Sequence, residues 1–462
     1  MTEALAALAD LWRSAGCAPE ALARIALTGQ DPIFPTRFRL GTAALASIGA
    51  SALAAAELWR LGAGRAQSVS VDIRAAAAAF RSERYLRVDG QPPQDPWGPV
   101  SGFYRAGDGR WIQLHCNFPH HRDGVLRVLD CEGSREAVAA AILRWTAAAL
   151  EDALAAADMC AGMVRPAEGW ALHPQAQAVA GLPLLEILRI GDSPPEPCGR
   201  GARPLSGLRA LDLTRVIAGP VCGRTLAAHG AEVMLVAASH LPSIPGLVMD
   251  TGRGKLSAWL DLRRSEEAER LRRLIREADV FCQAYRPGAL DGRGFSPEEV
   301  AALRPGIVYV TLSGYGHSGP WRARRGFDSL VQSVSGIAHE GGVAAGTDGP
   351  KHLPAQALDH ATGYLAAFGA MVALARRAQE GGSYLVRLSL AQTGRWIDGL
   401  GRIAGAEAPE LKRQDVEDLT EACDTPFGRM WAVAPAEKLS ETPARWARPA
   451  VPLGTHEATW PA

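Results

Sequence analysis

From Leu208 to Gly314, short apolar runs of strand character alternate with runs of helical period: LRALDLT, GPVCGRTLAAHG, AEVMLV, LSAWLDL, SEEAERLRRLIREA, DVFCQAY, SPEEVAAL and GIVYVTLSG. Parallel strands need a crossover between them, and a helix is the usual one, so this alternation predicts a parallel sheet with helices on its faces. Ligands of such sheets bind beyond the carboxyl ends of the strands. That places a site among the loops Thr214 to Pro220, Tyr285 to Gly288 and Ser313 to Pro320.

A chain of 462 residues is too long for one ordinary core, and two domains are expected. Residues 1 to about 80 read as helices: LADLW, PEALARIAL and the Ala-rich GTAALASIGASALAAAELWRL. GFYRAGDGRWIQLHC reads as a hairpin turning at Gly107-Asp108-Gly109, and with amphipathic segments at 135 to 147 and 149 to 157 it makes a small α+β unit over 98 to 175. The Pro- and Gly-rich run 191 to 207 is a linker. The chain also repeats itself. Residues 36 to 80 and 355 to 397 each hold an Ala-rich helix, a Gly turn, a strand and another helix; aligning Gly49 with Gly369 sets Arg39 opposite Asp359, so the acid belongs to one copy only.

Lys plus Arg and Asp plus Glu are both 49, so no net field draws the chain to nucleic acid or an anionic membrane. A small neutral or anionic ligand is expected. The eight cysteines are scattered without CxxC spacing and read as buried thiols in a reducing cytoplasm. The start, MTEALAALADLW, lacks a basic leader region, and no apolar run is read as reaching the ~18 to 20 residues of a membrane span. The expectation is a soluble, cytoplasmic protein.

Most nucleotide and hydrolase motifs fail on inspection. TRVIAGPVCG after the first strand lacks GxGxxG, GRGKLS lacks the first Gly and the Ser or Thr of a phosphate loop, and SGYGHSGP has Pro320 where a nucleophile elbow needs Gly. Gly314, Tyr315 and Gly316 then read as a turn offering backbone N–H groups to a ligand. Arg253 and Lys255 suit a phosphate contact or a solvated turn. Arg286, Arg322, Arg324 and Arg325 form either a solvated rim or a clamp for an anionic ligand. His120-His121 has no acid or cysteine at ligand spacing, so it reads as an exposed loop and no metal is expected. Asp359, ahead of the apolar run ATGYLAAFGAMVALARR, is by pattern a helix cap, its oxygen accepting an orphan N–H.

Six segments in order resemble the family III CoA transferases: LRALDLTRVIAGP, TGRGKLSAWLDL, ADVFCQAYRPGAL, IVYVTLSGYGHSGP, RRGFDSLVQSVSG and LPAQALDHATGYLAAFGAMVAL. The resemblance implies a Rossmann-like large domain with a smaller α+β domain. It makes Asp359 the nucleophile, attacking an acyl-CoA thioester to give an anhydride and then an aspartyl-CoA thioester, with a helix N-terminus favouring its ionised form. It implies CoA contacts from Arg215, Ala218, Gly219, Pro220, Arg253, Lys255, Tyr285, Arg286, Gly314, Tyr315, Gly316 and Arg324, with acyl-CoA and a small carboxylic acid as substrates and no permanent cofactor.

The family order is rearranged here. Residues 102 to 175 resemble the small domain that normally follows the catalytic segment, and 438 to 456 the usual C-terminal stretch. The division expected is 1–200, a partial copy with the small domain, and 201–462, the Rossmann-like domain with the nucleophile. Family members form interlocked dimers, so a homodimer or its equivalent within one chain is implied. The acid and Arg usual after the second strand are replaced by Val236-Ala237-Ala238-Ser239, Phe327 stands where the racemase branch has His, and QDPWGP takes the place of a Gly-rich lid. Alternatives are an acyl-CoA isomerase or racemase on this scaffold, or a non-catalytic acyl-CoA binding protein.

Overall fold

The structure, a computed structural model, describes residues 2–198, 201–404 and 408–461. Its centre is a seven-stranded sheet in the order Lys255–Trp259, Glu232–Ala237, Arg209–Leu213, Val280–Gln283, Val308–Ser313, Ser383–Ser389, Glu186–Gly191. All pairs are parallel except the last, where Glu186–Gly191 runs antiparallel to Ser383–Ser389. The protein is therefore α/β with the expected Rossmann-like sheet. Strand order reverses beside Arg209–Leu213, and the loop leaving that strand, Thr214 to Ile217, opens at the switch point where such sheets bind ligands.

The small α+β unit is as read from the sequence. Gly102–Arg105, Trp111–Leu114 and Ala161–Met163 form an antiparallel sheet backed by the helices Arg135–Ile142 and Ala147–Ala156. The segment PEALARIAL differs from its helical expectation: Pro19–Arg24 is a short 3-10 turn and Ile25–Thr28 a strand paired in parallel with Val69–Asp72. Local propensity favoured the helix, and the neighbouring strand overrode it.

The repeat is real, and its register is three residues from the expected one. Leu40–Ala63 and Ala357–Glu380 are both 24-residue helices. Leu40 corresponds to Ala357, Gly64 at the turn to Gly381, Asp72 at the strand end to Ser389, and Ile73 of the next helix to Leu390. Thr42, not Arg39, stands opposite Asp359. The two helices also correct the expectation of no span-length apolar run. Both are long and apolar enough to cross a membrane, yet 94% and 100% of their most apolar windows are buried in protein. They pack on each other at the centre of the main core.

Strand pairing links both sides of residue 200. Glu186–Gly191 completes the large sheet, Glu437–Leu439 pairs with Val69–Asp72, and Gly428–Val433 pairs with Arg87–Val88. The expected boundary itself falls at residues 199 and 200, outside the described residues.

Candidate active site

Asp359 is the third residue of its helix and does not cap it. The residue at the N-cap, Gln356, makes no side-chain capping bond either. Capping comes from another element: Asp328 Oδ2 accepts from the backbone N–H of Leu358 at 2.8 Å and of Asp359 at 3.0 Å. Gln332 donates to the other Asp328 oxygen, and its own Oε1 accepts from Leu353 N at 2.8 Å. With two of the orphan N–H groups satisfied from outside, the side chains of Gln356 and Asp359 take no part in capping. Among the described residues neither side chain has a hydrogen-bond partner. The helix is seated by Gly363, where a Cβ would come within 2.5 Å of Ala218 O, so only glycine lets it approach the helix Ala218–Ala228 this closely.

Asp359 opens onto a cavity of about 400 Å³. One wall comes from the first half of the chain: Glu83, Arg84, the loop Pro92 to Trp97, His115 and Asn117. The other comes from the second: Val216, Ile217, Ile244, Leu247, Phe327, Asp328, Gln356 and Asp359. QDPWGP thus covers the site in the place where a Gly-rich lid was sought. Val216 holds φ +74°, a left-handed conformation that β-branched residues avoid, at the switch-point loop. A narrow apolar slot of about 40 Å³ adjoins the cavity through Val216, Ile244 and Leu247 and is also lined by Arg215, Pro220, Ala237 and Ala238.

His115 stacks on Phe327 with ring centroids 3.8 Å apart. Its tautomer is fixed by Asn117. The amide oxygen of Asn117 accepts from Gly98 N at 3.1 Å and Ser101 Oγ at 2.7 Å, so its Nδ2 faces His115 Nε2 at 3.3 Å as the donor. Burial pushes the His115 imidazole down to about 3, and the ring is neutral.

The helix N-terminus does not hold Asp359 ionised, as its free N–H groups go to Asp328. Burial, then the nearby carboxylates of Asp328 and Glu83, push Asp359 well above the usual carboxylate range. Asp328 is itself pushed up to about 6 by burial, against the pull of its N–H donors. Burial acts to raise Glu83, but the His360 imidazole, 3.0 Å away, and the Arg84 guanidinium together leave it low.

Of the expected CoA contacts, Arg215 and Pro220 line the slot, and Ala218 and Gly219 open the helix beside it. Arg253 and Lys255 are not brought to the groove. Arg253 is buried against Asp250, Val433 O and the Trp446 ring, and Lys255 against Asp212 at 2.7 Å and Pro220 O at 2.8 Å. Arg286 and Arg324 join neither cavity wall. They pair with Asp158 at 2.7 Å and Asp152 at 2.8 Å, tying the strand-end loops to the small domain. Tyr285 packs against the second core cluster and lies close enough to Arg215 to feel its charge, but it lines neither the cavity nor the slot. Gly314, Tyr315 and Gly316 belong to a turn whose carbonyls at Tyr315 and Ser318 accept from buried Gln175, at 2.7 and 2.8 Å. His121 is buried at the start of a helix and not on an exposed loop.

The sequence reading missed Asp328, Gln356 and Glu83. Asp328 sat in the quoted segment RRGFDSLVQSVSG, and Gln356 is three residues from the nucleophile candidate, so both carried a signal. Glu83 carried none, being brought in from the far half of the chain.

The model of CoA-transferase family III matches residues 22–183 and 205–416. This chain belongs to that family. Among curated relatives, an acetyl-coenzyme A transferase, nodX, of Hypoxylon pulicicidum is 38% identical over 42% of this chain and 34% of its own length. A probable fatty acyl-CoA transferase, Rv3272, of Mycobacterium tuberculosis is 32% identical over 42% of this chain and 52% of its own. The succinyl-CoA–L-malate CoA-transferase beta subunit of Chloroflexus aurantiacus is 33% identical over 39% of this chain and 48% of its own. The chain thus spans about half the length, or less, of these relatives. A crystal structure of Rv3272 superposes with a TM-score of 0.39 at 30% identity, covering 43% of this chain and 58% of that one.

Proposed function

We propose that this protein transfers CoA from an acyl-CoA thioester to a carboxylic acid, with Asp359 as the nucleophile. The observation that carries the reading is a buried carboxylate with no partner, facing a cavity, on a helix capped by a different acid. The names of the relatives, an acetyl-coenzyme A transferase and a succinyl-CoA–L-malate CoA-transferase subunit, support the reaction class.

Once ionised, Asp359 attacks the thioester carbonyl through Oδ, the carbonyl π pair moves onto oxygen, and collapse expels CoA thiolate to leave an acyl–Asp359 anhydride. The thiolate then attacks the Asp359 carbonyl of the anhydride, releasing the first acid and forming an aspartyl-CoA thioester. The acceptor carboxylate attacks that thioester, and returning thiolate attacks the acyl carbon of the second anhydride, giving the new acyl-CoA and free Asp359. No step needs a proton donor. The unpartnered Gln356 amide is the nearest neutral donor on the same helix turn for the developing oxyanion. The slot that adjoins the cavity leads toward Arg215 and is the route open to the CoA arm.

Racemisation draws less support, since Phe327 fills the imidazole position and the His115 behind it is held neutral. The test is intact-mass spectrometry with a panel of acyl-CoAs, followed by hydroxylamine trapping and peptide mapping. An adduct on Asp359 is expected. Full transfer activity in Asp359→Ala would overturn the assignment, and CoA binding without any adduct or transfer would leave a binding protein.

A further inference from the structure

The walls of the cavity carry information about the acyl group. Around Asp359 they hold three more carboxylates, Glu83, Asp95 and Asp328, against one cation, Arg84. Arg84 is not free: its guanidinium lies 3.6 Å from Glu83. Neither of the two imidazoles near the site is a free cation on the wall. His115 is neutral, and His360 lies behind Glu83, engaged with it.

The remaining surface is apolar. Trp97, Phe327, Ile217, Ile244, Leu247 and the prolines Pro92, Pro93 and Pro96 line it. An acyl chain ending in a second carboxylate would bring that charge beside Glu83 and Asp328, with no unpaired cation among the described residues that line this cavity. A neutral ring or branched chain would instead cover apolar wall that is otherwise wet.

We propose that the acyl group handled by this site is uncharged and apolar, a monocarboxylic acid with an aromatic or branched aliphatic body, and that dicarboxylic acids are excluded. The proposal rests on the transferase reading for its chemistry, but its physical content is a binding preference. The selecting residues are Glu83 and Asp328 by repulsion and Trp97, Phe327 and Leu247 by contact.

The test separates the two claims. Binding of benzoyl-CoA, isovaleryl-CoA and succinyl-CoA to the Asp359→Ala protein is measured by calorimetry, where no turnover can occur. The neutral acyl-CoAs are expected to bind about 100-fold more tightly than succinyl-CoA, the scale set by leaving one buried charge unpaired. Initial rates of exchange in the intact protein should show the same order. Leu247→Arg, which supplies a cation to the wall, should narrow the gap by at least about tenfold in favour of succinyl-CoA. Equal or tighter binding of succinyl-CoA would overturn the proposal even if Asp359 proves to be the nucleophile. Conversely, the expected binding order with no exchange for any donor would sink the transferase reading and leave the preference standing.

Discussion

The helices Leu40–Ala63 and Ala357–Glu380 are the same device built twice, and only one is armed. Both start without a capping side chain of their own, and both have their first N–H groups taken by a distant aspartate. Asp31 accepts from Gly41 N at 2.9 Å and Thr42 N at 2.8 Å, as Asp328 does from Leu358 N and Asp359 N. The difference lies in the third residue. Thr42 turns its hydroxyl onto Asp31 at 2.8 Å, and Ile33 and Ile73 fill the space by Gly41, where a Cβ would come within 2.7 Å of each. Among the described residues Asp359 has no hydrogen-bond partner, and it faces a cavity. An external cap frees the first turn of a helix for chemistry, and it becomes chemistry only where the surrounding elements leave room.

The largest effect expected is on activity. Asp359→Ala should lower CoA transfer by on the order of 10⁴-fold or more with an unchanged circular dichroism spectrum, as loss of a nucleophile does, while Thr42→Val in the twin leaves transfer as it was. If both variants lose activity equally, the asymmetry between the helices is not functional.

Next come the caps. Asp328→Ala leaves two buried N–H groups without acceptors and should cost about 2 to 4 kcal/mol in denaturant unfolding, with transfer falling as the nucleophile loses its fixed position. Asp31→Ala should cost a similar amount and spare the activity of the protein that remains folded. Equal losses of specific activity would contradict the assignment of Asp328 to the site.

The comparison also makes a pH prediction. Asp359 is held high by burial and by Asp328, so the acid limb of the transfer rate reports ionisation of this carboxyl pair. Asp328→Asn removes the neighbouring charge and should move that limb to lower pH by roughly one unit. For stability the sign is opposite to that of a salt-bridged acid. Asp328 binds its proton more tightly folded, at about 6, than at the ordinary 3.8, so its stabilising contribution is full below 3.8 and is lost as pH rises to about 6. Unfolding followed across that window should show a shallower slope in Asp328→Asn, with the share of Asp359 remaining.

The smallest effect is that of Thr42→Val on stability. It removes one partly buried hydroxyl bond to Asp31 and should cost about 1 kcal/mol.

The alternation of strand and helix from Leu208 onward specifies the parallel sheet, because periodicity of two or 3.6 is written in consecutive residues. The small α+β unit and the repeat were legible for the same reason. Where the sequence reading slipped, the deciding contact was distant. Ile25–Thr28 is a strand because Val69–Asp72 lies beside it, and the repeat aligns by its turns and caps more faithfully than by its glycines. Lys255 and Arg253 looked available to phosphate until Asp212 and Asp250, on other elements, were seen to take them.

The sequence alone determined the fold class, the family resemblance and the singular position of Asp359. Tertiary structure decided what surrounds that acid: which carboxyl caps its helix, which groups raise its proton affinity, and which loop from the opposite half of the chain closes over it. Backbone periodicity is local and can be read from neighbours in the chain. The state of a buried charge depends on groups hundreds of residues away, and only packing brings them within range.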